Sequence, residues 1–77
     1  MQLEILSPDK TIFEGEVKFI TVPGLDGSLG VLDNHAPLIT TLKEGTIKIE
    51  KSEGEENFTI KGGVIEVLKN KVIILAE

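Results

Sequence analysis

The sequence has no cysteine, no arginine, no tryptophan and no tyrosine among its 77 residues, and a single histidine. Without cysteine there is no disulfide and no thiolate metal site. One histidine excludes the multi-histidine ligand sets of zinc enzymes. Three Phe and eight Lys supply neither the stacking planes nor the basic footprint that nucleic acids require. Thirteen acidic residues bring the net charge to −5, which also opposes anionic lipid surfaces. No apolar run approaches the roughly 18 residues of a membrane-crossing helix. The opening Met1-Gln2-Leu3-Glu4 lacks the positive segment and long apolar stretch of a signal peptide. Neither a nucleic-acid partner nor direct lipid insertion is expected, and absence of cysteine fits the cytoplasm.

What the chain does have is aliphatic and β-branched. Ile, Leu and Val number ten, nine and six, enough for a packed core in a single small domain over residues 1–77. Eight Gly and three Pro punctuate it at short intervals, and no segment keeps a helical period. The expected fold is all-β, a small sandwich of about eight to ten short, mostly antiparallel strands. Strands are predicted at 2–6, 11–13 (broken at Gly15), 16–22, 38–42, 46–50, 57–61, 64–68 and 71–75. Turns are expected at Ser7-Pro8-Asp9-Lys10, Pro23-Gly24, Glu44-Gly45, around Gly54 and at Lys69-Asn70. Leu25 to Gly30 reads as a loop or hairpin, and Val31-Leu32 as a short extended piece before a bend at Asp33-Asn34-His35. Gly62-Gly63 permits a bulge or a close backbone approach.

Two segments do not alternate. In 16–22, Ile20 and Val22 share one face and Val17 and Phe19 the other; in 71–75, Val72 and Ile74 oppose Ile73 and Leu75. Either these are central strands of a closed core, or their outer faces form an apolar patch that meets a partner.

Catalysis is poorly supplied. Nucleophilic catalysis needs a base beside a Ser, Cys or Thr, and His35 belongs to no such motif. Gly24-Leu25-Asp26-Gly27-Ser28-Leu29-Gly30 lacks the following Lys and helix of a phosphate loop, and reads as a tight hairpin. Glu53-Gly54-Glu55-Glu56 lacks calcium-loop spacing and reads as a solvated turn. No catalytic residue, metal or cofactor is expected.

Taken in order, the middle of the chain resembles the epsilon subunit of F-type ATP synthases. The residues that carry the resemblance are Gly27-Ser28-Leu29-Gly30-Val31, then His35-Ala36-Pro37-Leu38. Ser7-Pro8, Phe13-x-Gly15, Gly62-Gly63-Val64-x-Glu66-Val67 and the closing Leu75-Ala76-Glu77 agree in position. The resemblance implies a non-catalytic β-sandwich of the central stalk in a proton-translocating synthase. It would link the gamma subunit to the c-ring on the cytoplasmic face of a bacterial inner membrane, as a peripheral component. Carried over by position, Ser28, Leu29 and His35 would face the c-ring, and Ala36, Pro37, Leu38, Ile39 and Thr40 the gamma subunit. Many relatives have an acidic residue at Ser28, so a charged contact there is not implied. The typical subunit continues into a C-terminal helical hairpin, whereas this sequence ends at Glu77. No nucleotide binding and no hairpin-based inhibition by this polypeptide are therefore expected. Two other readings are a lipoyl-type carrier domain modified at Lys10, a poor match because Lys10 lies near the N-terminus, and an unrelated β-sandwich interaction domain.

Overall fold

The computed structural model describes residues 1–77 and contains strands but no helix. Nine strands follow the sequence: β1 (Gln2–Leu6), β2 (Thr11–Glu16), β3 (Phe19–Gly24), β4 (Gly27–Leu32), β5 (Leu38–Leu42), β6 (Gly45–Lys51), β7 (Gly54–Ile60), β8 (Gly63–Leu68) and β9 (Lys71–Ala76). They form one sheet in the order β2-β1-β9-β8-β5-β3-β6-β7, with β4 paired to β3. All pairs are antiparallel except β1 with β9.

The sheet folds over between β5 and β3. These two strands share a single pair, Gly24 with Leu42, beside a Lys43 N–H that donates to the Pro23 carbonyl at 2.9 Å. One layer is therefore β2-β1-β9-β8-β5, and the other β4-β3-β6-β7. The two ends of the path, β2 and β7, approach through Phe13 and Phe58, whose ring centroids lie 5.9 Å apart. Lys51 covers this seam, paired with Glu56 and 5.8 Å from the centre of the Phe13 ring.

Strand period explains the core. Successive side chains point to opposite faces, so alternate residues of each strand turn inward. Leu3, Val72, Val67 and Leu38 form one cross-strand row, and Ile5, Ile74, Ile65 and Thr40 the next. Ile20, Val22, Val31, Ile47, Ile49 and Ile60 close on them from the second layer. All sixteen core residues are apolar, and no buried side-chain polar atom lacks a partner.

Several boundaries differ from the sequence reading, each for a local reason. Gly15 does not break β2, because the Phe13 ring lies over it. β4 begins at Gly27, and the Phe19 ring seats over Gly30 in the same way, so turn-forming residues run inside a strand. Only Leu25-Asp26 makes that turn, and Pro23-Gly24 belong to β3. The acidic turn shrinks to Ser52-Glu53, since β7 starts at Gly54. The segment 16–22 is not one strand: Val17 is buried ahead of β3, where its N–H donates to the Met1 carbonyl at 2.9 Å. By contrast, β1 and β5 have the bounds read from sequence.

Gly62-Gly63 does make the close approach. A Cβ on Gly63 would lie 2.2 Å from the Leu75 carbonyl oxygen, at φ +156. Gly63→Ala is expected to destabilise the fold by about 2 kcal/mol or more, read by urea denaturation. The β8–β9 turn has positive φ at both central residues, Lys69 (52) and Asn70 (60). That is the two-residue hairpin geometry that favours Asn and Gly, and Lys is costly there. Lys69→Asn is expected to raise stability by about 0.5–1 kcal/mol in the same assay.

Candidate functional site: two surfaces and a pinned turn

The predicted contact residues fall on different surfaces. Ser28 and Leu29 lie near the tip of the β3–β4 hairpin. With exposed Leu25 they border an open cleft whose opposite wall is Leu38 and Thr40 of β5. His35 follows the other end of β4. Four residue steps along β4 lead from Ser28 to Leu32, about 13 Å at ~3.3 Å per residue. The structure thus groups Ser28 and Leu29 with Leu38 and Thr40, and not with His35.

The stretch Ala36–Thr40 is divided by strand parity. Leu38 and Thr40 turn toward the cleft and are half-buried, whereas Ile39 turns outward and is 71% exposed. Ala36 and Pro37 are exposed before the strand begins.

Ile39 belongs to a larger patch. On the outer face of the first layer, Ile39 opposes Glu66, Glu66 opposes Ile73, and Ile73 opposes Glu4. In the adjoining row, Thr41, Val64, Leu75 and Leu6 lie side by side. Leu68 completes the group beyond Glu66. Exposure reaches 53% at Leu75 and 49% at Leu68, too high for core. For 71–75 the second apolar face is therefore surface. Val64 and Leu68 were not singled out from sequence, because β8 taken alone alternates with Glu66 between them. Only its register with β5 and β9 assembles the patch.

The outer face of the second layer differs. Thr21, Lys48 and Asn57 form one row there and Thr46 and Thr59 another, with Phe19 and Leu32 apolar at one corner. Apart from Leu32 and Phe19 at that corner, this face is polar.

The turn that carries His35 is pinned from two sides. The Met1 ammonium donates to Asp33 Oδ1 (2.7 Å), Glu16 Oε2 (2.9 Å) and the Val17 carbonyl (3.0 Å). The Asn34 N–H donates to Asn70 Oδ1 at 2.8 Å, and the Asn70 carbonyl accepts from the Gln2 N–H at 3.2 Å. The His35 ring places Nδ1 2.7 Å from the Ala36 carbonyl oxygen, so its hydrogen-bond partner is backbone rather than a Ser or Thr hydroxyl. The hydrogen bond to Asp33, above all, holds the α-amino group above its ordinary value of 8.0, with Glu16 adding and burial opposing. A raised folded pKa makes this contribution complete below about pH 8 and lost as pH rises through the folded value. With Met1 as the first residue, melting temperature is expected to fall above about pH 8. Asp33→Asn should flatten that fall in a thermal denaturation series.

The family model for "ATP synthase, Delta/Epsilon chain, beta-sandwich domain" matches residues 1–77. An ATP synthase epsilon chain of Bordetella petrii is 44% identical over 78 residues, covering 100% of this chain and 55% of its own. That of Dichelobacter nodosus is 49% identical over 77 residues, covering 99% and 54%. The chain thus spans about half the length of these curated relatives. Among solved structures, a chain of the Euglena gracilis mitochondrial ATP synthase (OSCP/F1/c-ring) superposes with TM-score 0.89 and 28% identity, over 96% of this chain and 48% of that one. A Tetrahymena thermophila mitochondrial ATP synthase chain (central stalk/c-ring) gives 0.82 at 22% identity, over 97% and 61%, which bears on fold alone.

Proposed function

Because the chain belongs to the ATP synthase delta/epsilon β-sandwich family, we propose that it serves as a non-catalytic central-stalk subunit of a proton-translocating synthase. In this reading it joins the gamma subunit to the c-ring, as a peripheral component on the cytoplasmic face of a bacterial inner membrane. It helps transmit ring rotation toward the sites of ATP synthesis. The observation that carries the reading is the apolar outer face of β5, β8, β9 and β1, which the fold does not need for its core. A surface of this kind is an interaction site rather than a solvent face.

Gamma is assigned to that face, with Ile39, Leu68, Ile73 and Leu75 as its apolar anchors. The c-ring is assigned to the hairpin tip, with Leu25, Ser28 and Leu29. His35 lies beyond the other end of β4, so the reading moves it from the ring contact to the surface shared with Ala36 and Pro37. Leu38 and Thr40 support both surfaces by forming the wall between them. The family match covers every residue of the chain, and nothing in the setting of Lys10, on the exposed β1–β2 turn, favours a carrier domain.

The test is co-purification with the gamma subunit. Ile39→Asp and Leu68→Asp are each expected to weaken gamma binding about thirtyfold or more, with melting temperature nearly unchanged. Lys48→Glu on the polar face should leave binding intact. A folded chain that never associates with gamma would sink the reading.

A further inference from the structure

The apolar outer face contains a carboxylate that the domain itself does not pair. Glu66 stands between Ile39 and Ile73 across the strands, and between Val64 and Leu68 along its own strand. The ion pairs of the chain are Met1 with Glu16 and Asp33, Lys51 with Glu56, and Lys71 with Glu4. Glu66 is in none of them. Lys71, the basic residue on this face, sits opposite Leu68 with its Nζ 3.7 Å from Glu4.

In the free domain Glu66 is exposed and water solvates it. A partner that covers Ile39, Leu68 and Ile73 must also cover Glu66, since it lies among them. Removing a carboxylate from water without a counter-ion strongly opposes binding. A purely apolar partner would therefore be rejected at this spot. A second copy of this chain fits no better. Its matching face carries Glu4, Glu14 and Glu66 against Lys71, with Glu16 already held by the Met1 ammonium, so stacking two such faces brings unpaired carboxylates together.

Building on the assignment of gamma to this face, we infer that the covering surface of gamma presents a Lys or Arg side chain to Glu66. The apolar residues around Glu66 give affinity, and the buried pair fixes which partner docks and in what register. The pattern is an apolar anchor set around one charge, matched by a basic group set among apolar residues on the other side.

The experiment measures binding of the full chain to the gamma subunit of the same synthase by calorimetry, across a salt series. The variants are Glu66→Gln, Glu66→Lys and Glu66→Leu, each checked by thermal denaturation. Glu66→Gln is expected to bind at least about tenfold more weakly, and Glu66→Lys about a hundredfold. Glu66→Leu should also bind more weakly than wild type, although it adds apolar surface. Melting temperatures should be unchanged or higher, because each change is on the outside of the fold. Changing the surface Lys and Arg residues of gamma to Glu, one at a time, should yield one gamma variant that restores binding to Glu66→Lys. If Glu66→Leu binds as tightly as wild type, or no gamma charge reversal restores Glu66→Lys, the pairing is wrong while the gamma assignment stands. If the wild-type chain does not bind gamma at all, both are overturned.

Discussion

Strand parity acting on an all-aliphatic core is the constraint from which the rest of this molecule follows. Leu3, Ile5, Ile20, Ile47, Ile49, Ile65 and Ile74 are fully buried, and each sits two residues from another inward side chain or directly across from one. No cysteine and no buried polar side chain assists them. A domain of this size buries only roughly 60% of its unfolded surface, so a one-residue slip that turned a strand's inward set to solvent would be ruinous. Register is consequently held at many points. The single Gly24–Leu42 pair marks the fold line between layers, and the Phe13–Phe58 seam draws the two free ends of the sheet together.

Once parity assigns the inward residues, it assigns the outward ones as well, and there the two layers part company. The second layer shows Thr, Lys and Asn to solvent, as an antiparallel sheet with one wet face should. The first layer places Leu6, Ile39, Val64, Leu68, Ile73 and Leu75 among its outward positions. None of these is required to fill the core. The proposed association accounts for their presence, and on that reading the carboxylate among them makes it selective.

Much of this was legible in the chain. Strand and turn signals placed β1 and β5 at their observed bounds, and Lys69-Asn70 marked the hairpin whose two positive φ values the structure shows. What was not legible depended on contacts distant in sequence. Leu25 to Gly30 read as a loop or hairpin, and a hairpin forms, but how far its strand runs was hidden because turn propensity is local, while the Phe19 ring that makes Gly30 acceptable in a strand comes from the neighbouring strand. The apolar patch was visible in part, through Ile73 and Leu75 opposite a second apolar face. Val64, Leu68 and Glu66 joined it only through pairing. The resemblance named His35 beside Ser28, yet the length of β4 separates them, a fact that order in sequence could not convey.

The central claim is that the outer face of β5, β8 and β9, and not the polar face of β6 and β7, receives gamma. Methyl NMR of the chain during titration with gamma tests it most directly. The account predicts that the methyl resonances of Ile39, Val64, Leu68, Ile73 and Leu75 shift together and saturate together, while the methyls of Thr46 and Thr59 stay put. Shifts confined to Thr46, Thr59 and their neighbours, with Ile39 and Leu68 unmoved, would contradict it.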